Sequence, residues 1–244
     1  SSVVHSKRML EVIAKKGKTF RVVLVSSFGV YGVSDLPKGG VVTEETPMDP
    51  HPEKRDVYSH AKVWQEKIFW EYREKYGFEL VVLRPGVVYG AGGAPIASRV
   101  GMDMFGVFVS FGGDNPLPIT YVDNCADAIV VAGQKAPDGE IYTVSDDDIP
   151  TCDQYLKRYS REVKKLKTVR VPYFALIQLS KLVTWYVDYS EGQLPPMFTP
   201  YKVGAMWKNV GVDNGKLKAL GWKQAISTDD ALSRTFKILR ERAS

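Results

Sequence analysis

Apolar positions along the chain fall into runs with two different periods. Residues 20–25 (FRVVLV) form a nearly continuous β-branched run, the pattern of a strand buried on both faces of a parallel sheet. Residues 78–83 (FELVVL) repeat it, and shorter runs at 119–122 and 140–144 predict two further strands. Elsewhere the spacing is helical. Val4, Met9 and Ile13 predict a helix over 3–15 with Gly17 as its stop signal, and a longer helix spans Ser59 to Tyr76. Asp123 to Ala132 opens another helix with Asp123 as N-cap. Past residue 150 the pattern is mostly helical, over 151–164, 173–189, 199–209, 214–219 and 228–242. Residues 26–57 are turn-rich, and the Gly-rich stretch 91–118 reads as an irregular loop over a pocket. Strands alternating with helices, followed by a helical tail, predict an α/β fold with a covering lobe.

Composition narrows the class. The chain has 244 residues, 44% hydrophobic and 25% charged, the balance of an ordinary globular protein. A net charge of +5 suits an anionic ligand such as a dinucleotide. The densest basic cluster is Lys157, Arg158, Arg161, Lys164, Lys165, Lys167 and Arg170. No aromatics interleave for base stacking, so it reads as a solvated helix face and not a nucleic-acid site. Cys125 and Cys152 are too few for a disulfide framework; they read as small core residues in a reducing, cytoplasmic compartment. His5, His51 and His60 lack metal-ligand spacing. The sequence shows no signal-peptide pattern. The apolar stretch Val171 to Tyr189 is interrupted by Gln178, Ser180, Lys181, Thr184 and Asp188. It predicts a buried or amphipathic helix, not a membrane span.

The candidate chemistry centres on Tyr58 and Lys62, four residues apart on the second helix and hence on one face of it. A cation beside a phenol favours its phenolate and makes a usable acid/base. Alone, this spacing is common and reads more readily as an ordinary exposed helix pair. Its context raises its weight. Ser26 and Ser27 follow directly on the strand 20–25, and ligands of open α/β sheets bind at the carboxyl ends of strands. The strand after the helix ends in Arg84-Pro85-Gly86-Val87-Val88 at the same edge.

Six segments, VVLVSSFGVYG (22–32), YSHAK (58–62), LRPGVVYG (83–90), TYVDNCADAIVVA (120–132), YTVSDDD (142–148) and LGW (220–222), occur in one order along the chain. In this the sequence resembles the extended short-chain dehydrogenases/reductases, the NAD-dependent epimerase/dehydratase group. The resemblance covers almost the whole chain. It implies a Rossmann-type parallel sheet over 1–148, with 91–118 contributing to the substrate pocket, and a mainly helical substrate lobe over 149–244. It implies NAD or NADP as cofactor, a small-molecule substrate, and a possible homodimer. Tyr58 becomes the acid/base, Lys62 the ligand of the nicotinamide ribose that also favours the tyrosine's phenolate, and Ser27 the orienter of the substrate oxygen. Ser26 contributes backbone contacts. Pro85, Gly86, Val87 and Val88 approach the nicotinamide amide. Asp123 and Asn124 fix the lobe to the sheet.

The family's G-x-x-G-x-x-G turn, which sets the cofactor pyrophosphate on a helix N-terminus, is not in this sequence. Gly90-Ala91-Gly92-Gly93 has no clean helix start after it. By comparison with the family, the first four strands are missing. The expectation is a fragment of a longer protein in which strand 20–25 has an uncovered edge; the alternative is a chain that has abandoned cofactor binding and acts as a binding or regulatory module.

The substrate reading divides. Dehydratases of the family carry Thr-Asp-Glu where this chain has Ser27-Phe28-Gly29, which argues against elimination chemistry. Nucleotide-sugar epimerases place an arginine just before Y-V-D, where this chain has Pro118-Ile119-Thr120; Arg99 is the candidate substitute, and Phe28 is a further candidate substrate contact. The stretch GQLPPMFTPYKV (192–203) resembles the 3β-hydroxysteroid dehydrogenase branch, and helix 173–189 reads either as a cover for an apolar substrate or as ordinary core. The shared expectation is reversible hydride transfer at a secondary alcohol, on a nucleotide sugar or a hydroxysteroid-like skeleton.

Overall fold

The computed structural model describes residues 2–15, 20–93, 95–189 and 198–243. Its first half is built as α1 (Ser2–Ala14), β1 (Arg21–Val25), β2 (Val41–Val42), α2 (Val57–Tyr76), β3 (Glu79–Pro85) and β4 (Val87–Tyr89). Then come β5 (Gly101–Met104), β6 (Val107–Ser110), β7 (Ile119–Tyr121), α3 (Val122–Lys135) and β8 (Ile141–Val144). The remainder holds α4 (Cys152–Glu162), β9 (Thr168–Arg170), α5 (Tyr173–Tyr189), α6 (Pro200–Trp207), β10 (Gly211–Val212), α7 (Gly215–Ala219) and α8 (Thr228–Ala243).

The main sheet is parallel, in the order β1-β3-β8. Successive side chains of a strand point to opposite faces, and β3 shows it. Leu80 and Val82 join Leu10 of α1 and Ile68, Phe69 and Tyr72 of α2 on one side. Val81 and Leu83 pack on Ala128, Ala132 and Ala136 of α3 on the other. The result is helices on both faces of a parallel Rossmann-type sheet. Two-sided burial holds for β3 but not for β1, where Leu24 alone is buried and Val22 and Val23 are partly exposed. Among the described residues β1 has one strand neighbour.

Local sequence signals set the limits of α2. The Asp56 carboxylate accepts from the Ser59 N–H at 2.7 Å as N-cap, and Gly77 ends the helix in the left-handed conformation (φ 66°). The sequence reading started this helix two residues late because it did not use Asp56. Asp123 is likewise not a cap: α3 begins at Val122, Tyr121 is the N-cap residue without a side-chain bond, and Asp123 lies inside the first turn.

Residues 91–118 are not one irregular loop. They contain the antiparallel β5–β6 hairpin, which β9 extends as a parallel neighbour. Its turn is Phe105-Gly106, both at positive φ (54° and 81°), as a two-residue hairpin of the primed type requires. A second small pair, β2 with β10, joins residues 41–42 to 211–212. Asn124 ties the lobe to the sheet: its amide donates to Asp146 (3.0 Å) and to the Ile226 carbonyl (2.9 Å), and its oxygen accepts from the Ile226 N–H. Cys125 and Cys152 are buried and unpaired, and burial pushes both thiols up to about 11. No metal-holding cluster occurs among the described residues.

Candidate active site

The ends of β1 and β3 open into a cavity of about 740 Å³. Its floor forms where β3 changes partner. Up to Pro85 the strand pairs with β8; after Gly86 the chain continues as β4 and pairs with β7. The Gly86 N–H donates to the Val144 carbonyl (2.9 Å) and the Val87 N–H to the Pro118 carbonyl (2.8 Å). A Cβ on Gly86 would lie 2.4 Å from the Pro118 oxygen, so only glycine lets the backbone make this crossing. Val87 and Val88, which leave the main sheet to pair with β7, are exposed to the cavity.

Tyr58, Lys62, Ser26, Ser27, Phe28, Arg99 and residues 85–88 all line this one cavity. Tyr58 stands on the first turn of α2 and is 59% exposed. Its hydroxyl has no hydrogen-bond partner among the described residues. Lys62, one turn on, is half-buried and donates to the Val25 carbonyl at 2.9 Å. Burial lowers its pKa from the ordinary lysine value, and the Glu66 carboxylate offsets part of that. Ser27 caps a short turn over Phe28–Val30 and accepts from the Gly29 N–H at 3.1 Å. Its own O–H therefore stays free to donate. Gly29 sits between two hydroxyls: a Cβ there would be 3.0 Å from Ser59 Oγ and 3.3 Å from Ser27 Oγ.

Ser26 differs from the expectation of backbone contacts alone. Its hydroxyl donates to Glu66 at 2.5 Å, away from solvent. Glu66 also accepts from Arg84 at 2.5 Å, and the Arg84 guanidinium stacks on Tyr31 at 4.5 Å. Tyr31 in turn shares a hydrogen bond with Thr143 at 2.7 Å. This buried chain of contacts joins α2, β1, β3 and β8 beneath the cavity. The sequence reading missed it, because Glu66 looks like one more solvated helix charge.

Two further cations were missed. Arg55 donates to the Gly29 and Tyr31 carbonyls (2.9 and 3.4 Å), while its Nε has no hydrogen-bond acceptor and lies 3.6 Å from Asp56. Lys202 of α6 closes the opposite wall with Ala205 and Met206. Arg99 donates to the carbonyls of Pro116, Met206 and Lys208, so it holds the end of α6 as well as lining the cavity. Burial lowers the pKa of both arginines, and Arg55 adds to the shift of Arg99 by repulsion. Asp56 is the one carboxylate among the residues that line the cavity, against Arg55, Lys62, Arg99 and Lys202. No residue of α5 lines it. Helix α5 packs instead on Phe111 and Trp207. The PPMF part of the stretch 192–203 lies outside the described residues, apart from Phe198.

The family model for the NAD dependent epimerase/dehydratase family matches residues 1–145. The chain belongs to that family. No curated protein matches the sequence. Solved structures with the same fold include the dTDP-glucose 4,6-dehydratase of Bacillus anthracis in complex with NAD, at 21% identity and a TM-score of 0.65, covering 98% of this chain and 67% of that one. The UDP-glucuronic acid 4-epimerase of Bacillus cereus, in complex with UDP-glucuronic acid and NAD, is 19% identical with a TM-score of 0.67 and the same coverages. RMD from Pseudomonas aeruginosa, complexed with NADPH, is 14% identical with a TM-score of 0.69, covering 98% of this chain and 73% of that one. At these identities the likeness is one of fold.

Proposed function

We propose that this family member carries the proton-transfer side of a nicotinamide-dependent oxidoreductase or epimerase acting on a secondary alcohol. The observation that carries the reading is the convergence of Tyr58, Lys62, Ser27 and the backbone at 85–88 on one cavity at the strand ends. In this reading residues 1–148 form the dinucleotide side and 149–244 the substrate lobe, with Lys202 and Met206 of α6 lining the same cavity as Tyr58.

The residues present fit the nicotinamide end of NAD or NADP. The Gly86 crossing leaves Val87 and Val88 exposed along the cavity wall, and Lys62 keeps two N–H groups beyond its bond to Val25. The bound nicotinamide supplies the hydride acceptor or donor. In the oxidative direction Tyr58 takes the hydroxyl proton while the carbinol hydrogen departs as hydride and the C=O bond forms. Ser27 donates its free O–H to the substrate oxygen. Lys62 holds the ribose hydroxyls and keeps positive charge near the Tyr58 oxygen.

The charge of the cavity favours an alcohol that also bears an anion, such as a nucleotide sugar, over a hydroxysteroid-like skeleton. Four cations against one carboxylate line the wall, and Arg55 Nε is buried without an acceptor, a state that costs free energy until an anion satisfies it. The test is a panel of secondary alcohols with NAD and with NADP. Turnover of phosphate- or carboxylate-bearing alcohols with little turnover of neutral sterols is the expected result. Turnover of sterols alone overturns the substrate reading, and binding without any turnover favours a regulatory module.

A further inference from the structure

We infer that α5 and the neighbouring β5–β6 turn form a docking face for an anionic lipid membrane. Helix α5 is apolar on both sides. Its inner side, with Leu176 and Ile177, packs on Phe111, Val109 and Trp207. Its outer side carries Phe174, Leu179, Leu182, Trp185, Tyr186 and Tyr189, between 47% and 75% exposed. At 100° per residue these six fall within one arc opposite Leu176 and Ser180, so they share one face, which Gln178 alone interrupts. Six large apolar side chains on one helix face exceed the scattered exposure of an ordinary surface. Trp and Tyr dominate the C-terminal half of the strip, and these are the side chains that settle at a membrane–water boundary.

The surroundings give the partner's chemistry. Phe105, at the tip of the β5–β6 hairpin, is fully exposed. The Phe108 N–H donates to the Lys167 carbonyl at 2.8 Å, which places the tip beside the segment 164–167. Lys164, Lys165 and Lys167 are exposed and have no carboxylate partner among the described residues. Val169, 53% exposed, pairs with Val109 in the sheet and so lies on the face that α5 covers. The described acids beside the hairpin and β9 are engaged. Asp114 and Asp153 bond Arg170, Glu162 bonds Arg158 and Arg161, and Asp103 accepts from Gly106 N–H. Lys181 flanks the apolar strip at its Phe174 edge, where a long side chain extends its ammonium to a lipid phosphate while its stem stays apolar. A second copy of the chain fits this face less well, because a two-fold contact sets each like-charged patch near its own image. No described helix is long and apolar enough to cross a membrane, so the contact is in the interfacial plane.

Sedimentation with vesicles tests the proposal. The chain is expected to pellet with vesicles of phosphatidylcholine plus phosphatidylglycerol, weakly with phosphatidylcholine alone, and less as salt rises. Lys164→Gln/Lys165→Gln/Lys167→Gln is expected to weaken binding to the anionic vesicles about 100-fold, at about 5-fold per lysine. Leu182→Ser/Trp185→Ser/Tyr189→Ser is expected to abolish binding to both. All six side chains are exposed, and unchanged thermal melting of each variant confirms that folding is intact. Absence of pelleting with either vesicle, or pelleting that survives the α5 substitutions, overturns the proposal. So does a dimer in solution that the α5 substitutions dissolve while vesicles bind nothing.

Discussion

The Glu66 carboxylate and the Arg84 guanidinium meet at 2.5 Å with side-chain exposures of 0% and 3%. Glu66 stands one turn after Lys62 on α2, and Arg84 immediately precedes the Pro85-Gly86 crossing. The pair therefore locks the helix that presents Tyr58 and Lys62 to the strand that forms the cavity floor. Burial alone would pull the arginine's pKa down; the Glu66 hydrogen bond and charge outweigh it and the net shift is upward.

Removing one partner of such a pair leaves an uncompensated buried charge. Glu66→Gln or Arg84→Met is expected to cost about 3–5 kcal/mol, read from urea unfolding, whereas the double substitution costs clearly less than the sum. Additive losses would show that the two side chains act independently.

Lys62 is expected to set an alkaline limit on activity. Burial lowers its pKa from the ordinary lysine value, so its charge is lost at a lower pH than that of a surface lysine. Turnover is expected to fall as pH rises through that value. Lys62→Arg is expected to remove this limb, since arginine keeps its charge, though at reduced turnover from the altered reach. The stability effect has the opposite sense. Between the folded and unfolded pKa the unfolded chain binds more protons, so folding stability rises with pH there. A limb unchanged in Lys62→Arg would assign it to another group.

Gly86→Ala forces a methyl group to 2.4 Å from the Pro118 carbonyl oxygen. The backbone at 86–88 must move, and the expected result is a loss of nicotinamide-dependent turnover of about 100-fold or more, as small misplacements at such sites produce. Near-normal turnover in this variant would show that the crossing does not shape the cofactor wall.

Arg55 is expected to select for charge. Arg55→Gln should raise KM for an anionic alcohol about 10- to 100-fold, the worth of a charged hydrogen bond of about 1.5–3 kcal/mol, and leave KM for a neutral alcohol nearly unchanged. Equal effects on both would reduce Arg55 to its contacts with Gly29 and Tyr31.

Elements with many local signals were legible in the sequence. The apolar run of β3 and the long helix α2 are self-contained, and the six family segments fix their order. Elements made by distant pairing were not. Residues 41–42 become β2 only because 211–212 lie beside them, and the weak strands of the β5–β6 hairpin look like Gly-rich loop until β9 adds to them. The site divided the same way. Tyr58, Lys62 and Ser27 carry short-range spacing. Arg55, Glu66 and Lys202 acquire their roles from burial or from a wall contributed more than a hundred residues away in the chain, and nothing in their neighbours' sequence marks that.

The proton-transfer role of Tyr58 is the centre of this account. Tyr58→Phe keeps the ring and removes the hydroxyl proposed to exchange the substrate proton. Turnover of an anionic secondary alcohol with NAD or NADP should fall about 10²- to 10⁴-fold, with nicotinamide-fluorescence titration showing cofactor binding nearly intact. Turnover equal to that of the unaltered protein, with the same cofactor affinity, would contradict the assignment.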